Sequence, residues 1–259
     1  MLRLLLQSVL VRGAGTLHNL AATLAAKLCL GLTSKDLAAV TESLLSQHSH
    51  VRSACLAGLI EAPVLQTHDE MDMNVAAYLY CVRSDTDEDN RAEAELAWST
   101  YGYQVDSELC ESLVQLLSVS GVPYVRQSAA RAIALAIAEV PESAELIFES
   151  LRNLYTEHPT VFGSDDPLTE TFSLANEQSS EGFYSWMVRE GVALTLGEAA
   201  AMVSADDVEP LFDFLVARPL GDPVDAVKDA FVDTTLKLMD ELGADHANTI
   251  FPIFEDFLA

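Results

Sequence analysis

Three groups of side chains in this sequence have types that could do chemistry, and spacing decides what each can do. His48 and His50 flank Ser49, and His68, Asp69 and Glu70 follow one another. Imidazoles and carboxylates bind zinc or iron when three or four of them converge. Asp85, Asp87 and Asp89 alternate in DTDEDN, as the first ligands of a calcium loop do. Such a loop requires Gly at its sixth position and Glu at its twelfth, and here those places hold Asn90 and Leu96. The acids are therefore expected to sit at a helix N-terminus, where the helix dipole favours negative charge. Cys29, Cys55, Cys81 and Cys110 form no CxxC and have no His close in sequence. Neither a metal knuckle nor a Cys nucleophile is expected of them. They fall in apolar patterns, where a free thiol packs as a small hydrophobe, and they point to a reducing compartment, the cytosol or nucleus. The six histidines are read as solvated groups in turns and near helix ends. No GxSxG, GxGxxG or phosphate loop occurs. No catalytic residue, cofactor or metal is expected.

Charge narrows the partners. Fourteen basic residues face 40 acidic ones, a formal net charge of -26. No Lys lies between Lys35 and Lys228, and no Lys or Arg between Arg91 and Arg126 or between Arg152 and Arg189. Nucleic-acid binding depends on clustered Lys and Arg that neutralise phosphate. This chain repels phosphate and anionic lipid, so direct contact with DNA, RNA or membrane is not expected, and basic protein surfaces are the natural partners. No apolar run reaches membrane-spanning length. MLRLLLQSVLV at the start is short and lacks a small-residue cleavage motif, so it reads as part of a helix rather than a secretory signal.

Stepping outward from single residues, one phrase recurs. VRSACLAGLIEA starts at Val51, NRAEAELAWSTY at Asn90, VRQSAARAIALA at Val125, VREGVALTLGEAA at Val188 and VKDAFVDTTLKL at Val227. The intervals are 39, 35, 63 and 39, and the long one equals a repeat plus an insertion. Val11-Arg12 lies 40 residues before Val51 and reads as a degraded copy. Four residues into each phrase stand Cys55, Ala94, Ala129, Val192 and Phe231. Seven in stand Gly58, Ala97, Ala132, Thr195 and Thr234, all small, and eight in stand Leu59, Trp98, Ile133, Leu196 and Thr235. Offsets of 0, 4, 7 and 8 mark one face of an α-helix. Small residues at one offset predict close approach by a neighbouring helix. Trp98 and Trp186 are expected to anchor the core or the repeat interface.

Each phrase is preceded by a second amphipathic segment: 34–46, 70–83, 106–118, 142–158 and 206–216, with a further one at 244–257. A period near 40 made of two helices is the signature of HEAT or armadillo repeats. Armadillo units need a third helix for which there is little room. The expected fold is an all-α, right-handed solenoid of HEAT repeats, one segment of about six helix pairs over residues 1–259, with incomplete terminal pairs. Residues 159–183 are acidic, without a basic residue or sustained periodicity, and are expected to form an inter-helix loop insertion.

The positions expected to define the repeat are Val51 and Arg52, Asn90 and Arg91, Val125 and Arg126, Val188 and Arg189, and Val227 and Lys228. The first of each pair opens the buried stripe. The basic residue beside it is where HEAT proteins generally bridge to a neighbouring repeat, usually with an acid in the turn before the Val. Asp225 and Asp87–Asp89 could supply that acid, whereas the turns before Val51, Val125 and Val188 lack one, so no continuous charge ladder is expected.

Three stretches go beyond a generic repeat. VEPLFDFLV, the Asp-Pro turn with Val227-Lys228, and IFPIFEDFLA in 206–259 resemble the general-control translational activators, as do ARAIALAIAEV from Ala130 and AYLYCVRSDTDEDNRAEAELAW from Ala77. MVREGVALTLGEAA fits that family's next repeat. The family departs from this chain at Lys228, where it more often has Arg. These are giant cytoplasmic HEAT proteins that bind ribosomes and activate the starvation-responsive eIF-2α kinase. The resemblance implies an internal, non-catalytic scaffold segment of such a protein. Contact with the ribosome would run through ribosomal proteins, and contact with the kinase and an ATP-binding-cassette partner through parts outside this sequence. Two alternatives stay open at this point. One is a HEAT scaffold of a condensin or nuclear-transport receptor that binds basic proteins. The other is an iron-dependent hydroxylase like deoxyhypusine hydroxylase, whose ligands are His-Glu dipeptides; this sequence has none.

Overall fold

The computed structural model describes residues 41–61, 73–119, 122–159 and 185–258. The acidic insertion beyond Pro159, the Val11-Arg12 copy, Cys29 and the run His68, Asp69 and Glu70 lie outside them. The described residues carry helices and turns and no strand. They divide into two compact units, Met1–Ser112 and Leu113–Ala259.

The first unit holds a short 3-10 turn, Glu42–Leu45, then α1 (Ser49–Glu61), α2 (Met73–Arg83) and α3 (Glu88–Tyr101). Helix α3 begins where it does because Asp87 caps it, its side chain accepting from the backbone N–H of Asp89 and Asn90. Glu88 and Asp89 add negative charge to the first turn. It stops at Gly102, which takes φ 69°, the left-handed conformation that glycine adopts without strain, and whose N–H returns to Trp98 and Ser99. Helix α3 packs against both α1 and α2, and α2 packs on the 3-10 turn. Trp98 anchors this core: Tyr80 meets it edge-on at 5.0 Å, and the Arg83 guanidinium lies 5.1 Å above its ring.

Helix α4 (Ser107–Val119) contains the division between the units. The second unit continues with α5 (Pro123–Glu139), a 3-10 turn at Pro141–Ser143, α6 (Ala144–Glu157), α7 (Ser185–Glu198), α8 (Val208–Ala217) and α9 (Asp225–Leu258). The two predicted helices, the Val227 phrase and 244–257, meet within α9 at a kink. Only His246 leaves helical geometry there, at φ -118° and ψ 17°.

The two kinds of helix differ in how they are buried. Helices α6 and α8 hide one stripe each: Ile147, Phe148, Leu151, Leu154 and Tyr155 in α6, and Val208, Leu211, Phe212, Leu215 and Val216 in α8. Helix α7 lies against α5, α6 and α9, so it is buried on several sides. That explains its Ala and Gly content. Gly191 and Gly197 face neighbours so near that an added Cβ would stand 3.3 Å from Leu117 Cδ2 and 3.1 Å from Thr234 Oγ1 respectively. The Thr234 hydroxyl also donates to the Ala193 carbonyl at 2.7 Å. All twenty residues at the four stripe offsets of the five phrases are buried.

Cys55, Cys81 and Cys110 are buried free thiols. Among the described residues no three of His, Cys, Asp and Glu converge as a metal site would require. His48, His50, His158 and His246 are half-buried rather than fully solvated. No described helix is long and apolar enough to cross a membrane.

Candidate functional site

Among the described residues, the basic side chains carried into the interior are three arginines, each the second residue of its phrase. Arg52, Arg126 and Arg189 are each 2% exposed. A buried guanidinium requires partners for its five N–H groups, because an unpaired interior charge is far more costly than a paired one.

Arg52 stands in the first turn of α1. Its Nε donates to Asp85 Oδ2 at 2.5 Å and its Nη2 to Asp85 Oδ1 at 2.7 Å, a two-pronged pair across 33 residues. Its Nη1 donates to the Ser46 carbonyl at 2.7 Å. Asp85 also accepts from the Asp87 N–H at 3.2 Å and from Asn90 Nδ2 at 3.3 Å. Asn90 Nδ2 reaches the Ser49 carbonyl at 3.1 Å as well, which ties α3 to α1 a second time. Burial pushes the Asp85 carboxyl up, but the bonds from Arg52, the Asp87 N–H and Asn90, with the Arg52 charge, outweigh it and hold the group below its ordinary value.

Arg189 repeats this arrangement in the second unit. Its Nε donates to Asp222 Oδ2 at 2.8 Å and its Nη2 to Asp222 Oδ1 at 3.1 Å, again across 33 residues. Its Nη1 donates to the His158 carbonyl at 2.9 Å and the Ser185 hydroxyl at 3.0 Å. Asp222 accepts the N–H of Val224, two residues on, as Asp85 accepts that of Asp87. Tyr155 adds its hydroxyl to Asp222 Oδ2 at 2.8 Å. Burial, then this bond and the Asp222 charge, push the Tyr155 hydroxyl well above its ordinary value, so it remains a donor.

Arg126 is built differently. Its Nε and Nη2 both reach one oxygen, Glu190 Oε2, at 3.1 and 2.6 Å. Glu190 lies inside α7, two residues after Val188, and is 26% exposed.

The remaining predicted positions do not form such bridges. Val51, Val125, Val188 and Val227 are buried in the stripe. Arg91, 41% exposed, turns back to its own loop, donating to the Asp85 carbonyl at 2.7 Å and standing 3.5 Å from Glu88. Lys228 pairs on the surface with Asp225 at 2.7 Å, a contact that raises the Lys228 ammonium and lowers the Asp225 carboxyl.

The acids expected in the bridges, Asp87–Asp89 and Asp225, are thus not the ones used. Asp87 caps α3 and Asp225 holds Lys228; the bridges take Asp85 and Asp222, each five residues before the phrase that follows. The turns before Val51 and Val188 needed no acid, because Arg52 and Arg189 reach forward to the next turn. A guanidinium at the start of one helix spans the neighbouring loop only at that distance, whereas Asp87 and Asp225 lie too close to their own helix ends. Asp85, Asp222, Glu190 and Tyr155 escaped the sequence reading. The signal available for the first two was the identical Arg-to-Asp separation of 33. Glu190 carries no such signal.

The whole arrangement is mechanical. In all three bridges the charged donors and acceptors meet one another.

Residues 66–259 match the family described as stalled ribosome sensor GCN1, HEAT repeats. The chain is 28% identical over 271 residues to the human protein named stalled ribosome sensor GCN1, covering 100% of this chain and 10% of that one. It is 27% identical over 235 residues to the Arabidopsis thaliana protein ILITYHIA, covering 90% of this chain and 8% of that protein. It is also 28% identical over 232 residues to the yeast (Saccharomyces cerevisiae) eIF-2-alpha kinase activator GCN1, covering 87% of this chain and 8% of that one. No solved structure matches. The chain therefore spans about a tenth of the length of the curated relatives it matches.

Proposed function

Because this chain belongs to the GCN1 HEAT-repeat family, an all-α solenoid class, we propose that it is a non-catalytic scaffold segment of a ribosome-binding translational activator. In this reading it serves the response to amino-acid starvation and stalled ribosomes by setting the distance between the parts that grip the ribosome and the part that engages the eIF-2α kinase. The observation that carries it is the family match over residues 66–259. The bridge geometry agrees with it, since the buried charges of the described residues hold helix to helix. The family match also argues against a condensin, a transport receptor or an iron hydroxylase.

The charge of -26 supports contacts with basic proteins over contacts with ribosomal RNA. Kinase and ATP-binding-cassette partners would be engaged by other parts of the full-length protein, and the setting is the cytoplasm. The acidic stretch 159–183 is taken as a loop inserted between two helices of the scaffold.

Co-sedimentation with purified ribosomes at low and moderate salt tests this. Pelleting that fades as salt rises means the segment has its own electrostatic dock, and crosslinking then names the ribosomal protein. Pelleting that is lost on removing ribosomal RNA but survives stripping of basic proteins would overturn the preference for protein contact. No pelleting at either salt leaves the segment as a spacer.

A further inference from the structure

The second, sixth and tenth residues of each phrase stand four apart, so they share one side of its helix. In α7 that side meets the phrase helix that follows. Arg189 reaches forward to Asp222, just before α9, and the Thr234 hydroxyl of α9 donates to the Ala193 carbonyl. A Cβ on Gly197 would stand 3.1 Å from Thr234 Oγ1. Close stacking of this kind needs small or apolar residues after the arginine. Helix α5 has Ala130 and Ala134 at those two places, and α1 has Leu56 and Ile60. Helix α3 has Glu95 and Ser99. Glu95 is engaged inside its own unit, 2.6 Å from Arg83.

The forward bridge fails at the same helix. Arg52 and Arg189 take an Asp five residues before the next phrase, and Arg126 takes the third residue of the next phrase, Glu190. For Arg91 those places hold Ser120 and Gln127. No Asp or Glu occurs at all between Glu111 and Glu139, so neither the turn before α5 nor α5 short of its last residue offers one. Arg91 bonds its own loop instead, at the Asp85 carbonyl.

We infer that the stack of repeats has a built-in joint between α3 and α5, about which the two units bend. In a solenoid each repeat is held by its nearest neighbours alone, so one interface without its bridge and its small residues concentrates the bending there. The division of the chain after Ser112, within α4, falls between these two helices. The inference deepens the scaffold reading and rests on it for its use: the distance that the segment sets changes by bending at one place.

Single-molecule energy transfer on the whole chain tests this. Dyes are attached through azidophenylalanine at Asn74 and Asp233, exposed positions in the two units, and in a second sample at Glu149 and Asp233, both in one unit. The distance distribution across the units is expected to be at least about twofold wider than the one within a unit. The variant Glu95→Ala/Ser99→Ala/Gln127→Glu gives α3 the small side of α5 and α7 and offers Arg91 an acid placed like Glu190. It is expected to bring the cross-unit width most of the way to the other, with circular dichroism reporting that it is folded. Should it not fold, Gln127→Glu alone, at an exposed position, is expected to narrow the distribution by a smaller amount. Equal widths in the unaltered chain would overturn the joint. A wide distribution that a folded variant leaves unchanged would overturn its assignment to the α3 side. Failure of the joint leaves the scaffold reading as a spacer that does not bend there, whereas ribosome pelleting that depends on RNA alone would count against the partners in that reading and leave these widths as they are.

Discussion

Arg189 and Arg126 occupy the same position in two helices of one unit, are equally buried, and are held in different ways. Arg189 meets both oxygens of an acid that is itself 1% exposed, and that acid is further engaged by a backbone N–H and a tyrosine hydroxyl. Arg126 meets one oxygen of an acid that is 26% exposed. The repeat thus fixes where the guanidinium goes but leaves the source of the carboxylate free. Where the following turn supplies an Asp, the bridge is sealed. Arg126 takes Glu190 from a neighbouring helix instead, and that acid stays partly open to water.

The comparison is broken or sharpened by substitution. Arg189→Ala strands Asp222 and is expected to cost about 3–5 kcal/mol, measured by urea unfolding. A loss under 1 kcal/mol would show that the sealed bridge matters no more than a surface pair. In the first unit, Asp85 extends the comparison to pH. Its carboxyl is held below its ordinary value of 3.8 when folded. As pH falls below 3.8, the unfolded chain therefore takes up the proton first and stability declines. Glu93 acts with the opposite sign. One of its oxygens is buried without a hydrogen bond, and burial, then Asp89 and Asp87, raise its carboxyl above 4.5. The folded chain takes that proton first, so stability climbs as pH falls toward 4.5. Urea unfolding across pH 3–7 should show the climb vanish in Glu93→Gln and the decline flatten in Asp85→Asn; a profile unchanged in either variant refutes its assignment.

Arg126→Ala is expected to cost less than Arg189→Ala, about 1–2 kcal/mol, because Glu190 left alone regains water. Equal costs for the two would erase the distinction between the bridges. At neutral pH, Glu93→Gln is expected to stabilise by about 1 kcal/mol or less, by relieving a buried, unpaired charge. Lys228→Ala, on the surface, should leave the thermal midpoint where it is, and a clear drop would mean that Lys228 does belong with the buried bridges.

Much of this was legible from periodicity. The offsets 0, 4, 7 and 8 picked out the buried face of every phrase helix, and the small residues seven in pointed to the close approach seen at Thr234. Periodicity assigns faces, however, and does not say how far a long side chain reaches. For that reason Asp87 and Asp225, nearest to the phrases, looked like the bridging acids, although Asp85 and Asp222 hold the arginines. Glu190 was illegible for a related cause: it lies inside a phrase helix with no turn or spacing to mark it, and only the path of Arg126 gives it a role. The break at His246 was legible as well, because the amphipathic pattern restarts at 244.

The forward reach of Arg52 and Arg189 also bears on the order of assembly as the chain leaves the ribosome that makes it. Synthesis delivers residues from the N-terminus at a finite pace. When α1 has emerged, Arg52 has the Ser46 carbonyl to bond but must wait 33 residues for Asp85. Arg189 waits as long for Asp222, and Arg126 waits 64 residues for Glu190, across the acidic insertion. Each of these guanidinium–carboxylate bridges therefore closes only after the later segment that brings its acid has been made. A nascent chain halted between Arg126 and Glu190 would remain exposed to proteases and chaperones longest of all.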